Sequence, residues 1–171
     1  MKMRFLFIIC MTFVALSAKA QMYVGGTFNM THDDNADRTE FTIAPDFGYN
    51  FNEQFAVAAE LGFTHSDSHD IDTNTFFIAP YVRWSFFQKG MVRLFLDGGL
   101  GFSTGKRDGF DRKNGFEIGA KPGIALELTK HLAFVTKYGF LGYRDDYKYS
   151  NSVSGLSLSS EDLSIGFEFS F

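Results

Sequence analysis

Leu163-Ser-Ile-Gly-Phe-Glu-Phe-Ser-Phe171 ends the chain and decides how the rest is read. Leu163, Ile165, Phe167, Phe169 and Phe171 share one parity, and Ser164, Gly166, Glu168 and Ser170 the other. Side chains alternate along a strand, so this stretch is a strand with one apolar face. In water its free edge and its phenyl rings would invite aggregation. With lipid on the apolar side and the edge closed against the first strand of a barrel, both problems disappear.

The same alternation recurs upstream. It predicts strands at about 22–31, 40–50, 54–64, 75–86, 91–103, 115–128 and 131–142, with the terminal strand as the eighth. Phe, Leu, Ile and Val collect on one parity, and Gly, Ala, Ser, Asn and charges on the other. Tight turns are expected after strands two, four and six. Longer polar connections are expected after one, three, five and seven, the last from Tyr143 to about Ser160. This alternation of short and long connections is that of an outer-membrane barrel. The expected fold is therefore an all-β, eight-stranded antiparallel up-and-down transmembrane barrel, one domain over 21–171. A lumen of eight strands is narrow, so bulky Phe is expected outside and small residues inside. Phe51, Phe55, Trp84, Phe86 and Phe171 form one interfacial belt in this reading, and Phe63, Phe76, Phe102, Phe116 and Tyr143 the other. Pro45, Pro80 and Pro122 fall within even-numbered strands, and each predicts a bulge or a missing ladder bond.

Residues 1–20 read separately. Lys2 and Arg4 precede an apolar run, and Ala18-Lys19-Ala20 gives small residues before a cleavage point. That is the pattern of a secretory signal peptide. The one cysteine, Cys10, lies inside it, which leaves no cysteine for a disulfide framework beyond it. The full chain carries a formal charge of −4. That acidic balance argues against nucleic acid as a partner.

Candidate chemistry lies on the lumen parity. Asp46, Glu60, Arg83, Arg93, Asp97, Glu117, Lys121 and Lys137 form the expected lumen charge network, joined by Tyr81, Glu127 and Glu168. Buried charges need partners, so the network reads as a plug of ion pairs. The alternative is a narrow ion path. His65, Asp67, His69, Asp70 and Asp72 offer donors for a divalent ion. The Asp70-Ile-Asp-Thr-Asn74 run lacks the glycine of a calcium loop, however, and reads as a solvated polar loop. No metal and no cofactor is expected. Gly98 to Lys106 lacks the spacing of a phosphate loop. No nucleophile stands beside a base, so no enzyme activity is expected. A lipid-modifying enzyme is the least favoured reading.

The Ile-Ala-Pro strands at 43–45 and 78–80, Leu94-Phe-Leu-Asp-Gly-Gly-Leu-Gly-Phe102 and the terminal Phe-Glu-Phe-Ser-Phe171 carry a resemblance. The chain resembles the small outer-membrane β-barrels of Gram-negative bacteria, the group of the OmpA transmembrane domain and OmpX-like proteins. The resemblance implies an integral, porin-like outer-membrane protein without enzymatic activity, acting as a structural anchor, a surface-interaction protein or a small low-conductance pore. It implies outer-membrane lipids as surroundings, and Phe167, Phe169 and Phe171 as a signal read by the barrel-assembly machinery. An extracellular ligand held by the outward loops is the remaining expected partner.

Overall fold

The computed structural model describes residues 22–33, 38–68, 71–107, 111–149 and 152–171. The expected signal peptide lies outside the described residues. Ten strand segments follow in order: β1 (Met22–Asp33), β2 (Arg38–Asn50), β3 (Phe55–Ser68), β4 (Ile71–Lys89), β5 (Val92–Arg107), β6 (Lys113–Glu127), β7 (Leu132–Lys137), β8 (Phe140–Asp145), β9 (Val153–Ser157) and β10 (Ser164–Ser170). They make eight staves. β7 and β8 both pair with β6 and form the seventh stave. β9 pairs with β8, while β10 pairs with β7 and closes on β1, forming the eighth. All neighbours are antiparallel, and β5–β6 pairing completes the ring.

The stagger of the ring can be traced from Phe28. Its rungs run through Ile43, Phe63 and Phe76 to Thr104 in one direction. In the other they run through Ile165, Thr136 and Ile124 to Leu94. The two routes reach β5 ten residues apart. Such a shear tilts the strands and holds the lumen to the width of packed side chains.

The tight turns have local causes. Asn52 Oδ1 accepts from the amides of Gln54 and Phe55, each at 2.8 Å, and Thr129 Oγ1 accepts from His131 and Leu132. Gly90 takes φ +59° in the β4–β5 turn, a region that costs a side chain.

The structure corrects the sequence reading in four places. First, the long polar loops are largely strand. β3 continues to Ser68 and β4 starts at Ile71, so His65, Asp67 and Asp72 sit on a hairpin whose rungs include Asp67↔Asp72. β5 and β6 extend likewise, to Arg107 and from Lys113. Alternation fades there because both faces carry polar residues, Ser66 on the buried face and Asp67 and Asp72 on the exposed one, yet the ladder continues. His69 and Asp70 lie outside the described residues.

Second, the expected loop from Tyr143 to Ser160 contains the end of β8, all of β9 and a short 3-10 turn, Tyr147–Tyr149.

Third, the seventh stave changes parity. Residues 138–139 bulge, with Gly139 at φ +91°, opposite Pro122, whose carbonyl accepts from Tyr138 N at 3.1 Å. The register shifts there by one, from Gly123↔Lys137 to Ala120↔Leu141. Phe140 consequently faces the lumen, whereas Leu141 and Tyr143 face outward. At Pro45 and Pro80 two successive ladder pairs, those of the proline and of the alanine before it, are missing on one side without any change of register. A further bulge at Phe86 puts both Phe86 and Phe87 outside.

Fourth, the lumen holds large aromatic residues, because each faces a missing side chain. A Cβ built on Gly48 would lie 2.1 Å from the Tyr23 ring, on Gly62 2.0 Å from Phe77, on Gly123 2.2 Å from Phe95, and on Gly119 2.7 Å from Phe140. Size alone does not choose the face when a neighbouring strand leaves room for the ring.

Outside, Phe28, Phe41, Ile43, Phe47, Leu61, Ile78, Val82, Leu100, Ile118 and Ile124 stay exposed. An apolar patch of this extent needs a nonpolar solvent. The aromatic belts bound it: Phe63 and Phe76 meet at 5.0 Å and Phe102 and Phe116 at 5.3 Å at one end, Trp84 and Phe86 at 5.5 Å at the other.

Candidate functional site: the lumen

Alternation points the charged parity of β2 to β7 and β10 inward, and the narrow ring brings the side chains into contact. Arg83 on β4 is the centre, 1% exposed. Its Nε donates to Asp97 Oδ1 at 2.7 Å and its Nη2 to Asp97 Oδ2 at 2.9 Å, the forked geometry that suits guanidinium and carboxylate. Its Nη1 donates to Glu168 of the terminal strand. The rings of Phe95, Tyr81 and Tyr23 lie 4.0, 5.5 and 5.7 Å from its guanidinium carbon. One arginine therefore joins two carboxylates among three aromatic rings at this level of the lumen.

Towards the short-turn end, Arg93 donates to Glu127 at 2.9 Å and to Glu168 at 3.5 Å. On the other side of Arg83, the Lys137 ammonium lies 3.1 Å from Asp97 and 3.4 Å from Glu60. Further up, Glu117 takes Lys121 at 2.6 Å and Arg144 at 3.0 Å, and Arg144 reaches Asp162 at 3.1 Å. Acids and bases thus alternate along the axis. Neither charge in such a pair tolerates loss of its partner, since desolvation outweighs most of what one ion gains alone.

All eight residues expected in the network face inward. Seven make ion pairs; Asp46 does not. Its Oδ2 accepts from Tyr81 OH at 2.7 Å, Tyr81 meets Tyr23 OH at 3.0 Å, and Asp46 Oδ1 is buried without a partner among the described residues. The sequence reading missed Arg144, Asp162 and Tyr147. Arg144 changes side only because of the bulge at Gly139. Asp162 and Tyr147 lie in turns, where alternation gives no face. Tyr147, expected in an outward loop, is 1% exposed and packs at 6.0 Å from Phe77 inside the barrel mouth. Phe110, an aromatic residue of the outward loop expected after strand five, lies outside the described residues.

Small cavities remain beside the network. One of about 70 Å³ is lined by Thr27, Asn29, Glu60, Lys121, Tyr147 and Lys148 among others. One of about 30 Å³ sits by Tyr81, Asp97, Lys137 and Phe140. Both reach Glu60, Lys121 and Lys137. Among the described residues no cluster of three or more His, Cys, Asp or Glu could hold a metal ion. His65 Nδ1 instead pairs with Asn74 at 2.9 Å.

Phe171 lies at the closing seam. Its amide donates to Met22 O at 2.9 Å, and its ring packs edge-on to Phe169 at 5.3 Å. Phe169 in turn stacks near His131.

Comparison with known proteins agrees with this architecture. The chain is similar to Neisserial surface protein A at 15% identity, covering 89% of this chain and 97% of that one, with a TM-score of 0.58. It is similar to OprG of Pseudomonas aeruginosa at 11% identity (89% and 95% covered, TM-score 0.52) and to the N-terminal β-barrel domain of Pseudomonas aeruginosa OprF at 14% (89% and 97%, TM-score 0.51). No curated protein matches. At these identities the likeness concerns the fold. The outer membrane protein beta-barrel domain model matches residues 5–169, nearly the whole chain, and the chain belongs to that family of integral outer-membrane proteins.

Proposed function

We propose that the protein is a non-enzymatic outer-membrane barrel with a structural or surface-interaction role, its lumen closed to ions by the charge network. The observation that carries this reading is Arg83. It is fully buried, spans from Asp97 to Glu168 and is ringed by Phe95, Tyr81 and Tyr23. An ion crossing this level would have to part a forked, desolvated pair. The hairpins that project beyond the aromatic belt are the surface available to an extracellular ligand. Phe167, Phe169 and Phe171 are the residues offered to the assembly machinery.

A narrow cation path is the second reading, favoured by the two cavities that share Glu60 and Lys137. Planar-bilayer recording separates the two. A closed lumen gives no unitary steps from wild-type protein. Stable steps from wild type that change in Arg83→Ala or Lys137→Ala would sink the closed-lumen reading.

A further inference from the structure

The barrel wall is not laddered to its full height. The β1–β10 pairing runs from Tyr23↔Ser170 to Phe28↔Ile165 and stops. Above it β9 pairs with β8. Among the described residues, the upper part of β1 and the facing edge of β9 share no ladder. The depth of the break follows from β8. Tyr143↔Ser154 lies at the upper aromatic belt, and Leu141↔Leu156 lies below it. The break is thus at hydrocarbon depth, where an open strand edge is tolerated only beside protein or a water-filled cavity.

The break holds the segment Leu158–Leu163, six residues set against only two, Tyr138 and Gly139, in the neighbouring stave. Leu158 and Leu163 face outward. Asp162 faces inward, to Arg144 at 3.1 Å and to the hydroxyls of Ser157 at 2.5 Å and Ser159 at 3.2 Å. Across the gap, Asn29 Nδ2 donates to the carbonyls of Ser160 and Leu163. Side chains rather than a ladder fasten the wall here.

The larger cavity lies directly behind, with Asn29, Asp162 and Ser164 in its lining. Two donors in it are unused. The Tyr147 hydroxyl is buried and has no partner among the described residues. The Lys148 ammonium sits 3.7 Å over the Phe77 ring and makes no ion pair among the described residues. The lining sets four cations, Lys121, Lys137, Arg144 and Lys148, against three carboxylates, Glu40, Glu60 and Asp162, and this positive excess, with the Tyr147 hydroxyl, favours an acceptor that carries negative charge. About 70 Å³ suits a carboxylate with a few waters and excludes a large head group. The rim of the break is Met30, Leu156, Leu158 and Leu163, all exposed.

We infer that this break is a side port that binds a single-chain anionic amphiphile of the outer leaflet, its carboxylate on Tyr147 and Lys148 and its alkyl tail along Leu156, Leu158 and Leu163. The inference rests on the break and on the cavity behind it, so it goes beyond the closed-lumen reading and does not depend on whether the Arg83 layer passes ions.

The test uses the barrel in phosphatidylcholine nanodiscs, titrated with dodecanoate and dodecanol. Trp84 is replaced by Phe, and a tryptophan is placed at Leu158 or, as a lipid-facing control, at Leu61. Each variant is first shown to be heat-modifiable on a gel. Chain-brominated dodecanoate should quench the Leu158→Trp protein saturably, with competition by unlabelled dodecanoate, and quench Leu61→Trp only as bulk lipid does. Tyr147→Phe and Lys148→Met should each weaken dodecanoate about tenfold and leave the response to dodecanol unchanged. Equal quenching at both positions, equal binding of dodecanol and dodecanoate, or full affinity in Lys148→Met would overturn the port.

Discussion

The guanidinium carbon of Arg83 lies 4.0 Å from the centre of the Phe95 ring, and that ring occupies the space left by the missing side chain of Gly123. The cation at the centre of the lumen is therefore seated on an aromatic plate, and a glycine two strands from Arg83 holds the plate in place. A methyl group at Gly123 would have to push the ring into the guanidinium. Gly123→Ala is expected to destabilise the barrel by about 1–3 kcal/mol, the usual cost of overpacking. Phe95→Leu in the same protein should recover part of it. Circular-dichroism melting in detergent reads both.

Removal of Arg83 leaves Asp97 and Glu168 facing each other without their shared cation. Arg83→Met is expected to cost about 3–5 kcal/mol, as loss of one partner of a buried pair does. The triple change with Asp97→Asn and Glu168→Gln should cost less than Arg83→Met alone. If the triple variant is the least stable of the set in urea titration, the carboxylates are not what makes Arg83 necessary.

Lys148 supplies a pH test, because it lies in the Tyr147–Tyr149 turn, outside the spanning strands. Burial, with the Lys121 ammonium adding to it, pushes its ammonium from 10.5 down to about 8. Between these values the unfolded chain holds a proton that the folded chain has released, so stability rises with pH from about 8 to about 10.5. Below pH 8 both states are protonated, and the cost of burying the charge is constant. The melting temperature of wild type relative to Lys148→Met should therefore climb across that window. A flat difference would show that the turn leaves the lumen without sensing its charge.

Phe171 is 70% exposed in the barrel, so its removal costs little in the finished fold. Phe171→Ala is expected to change urea stability by less than about 1 kcal/mol, while lowering the amount of folded barrel recovered from outer membranes. Equal recovery of variant and wild type in a cell-fractionation assay would move the assembly signal away from this ring.

The barrel was legible in the sequence because lipid outside and side chains inside impose one rule on every stave: a strict period of two. Phe41, Phe47, Leu61, Ile78 and Leu100 obey it, and so do Asp46, Arg83, Asp97 and Lys137. The rule fails wherever something other than the pleat sets direction. The bulge at Gly139 reverses Phe140 and Arg144. The Asp162 turn replaces ladder by side-chain bonds. The inward aromatic rings depend on which glycine lies across the ladder, a relation between strands that one strand's pattern does not contain. The hairpin tips failed for the opposite reason: polar residues stand on both faces, the buried Ser66 included, so no apolar alternation shows, although the ladder persists through Asp67↔Asp72.

The short β1–β10 ladder also has a mechanical meaning. It is half as long as the β1–β2 ladder and joins the two ends of the described barrel. Tension applied through the termini from the short-turn side loads its rungs from Tyr23↔Ser170 upward, and among the described residues there is no second ladder beyond Phe28↔Ile165 to share the load. Rupture should begin at this seam and part β1 from β10, while the terminal strand stays on β7 by its six rungs, which makes the junction of the two ends the line along which the barrel tears.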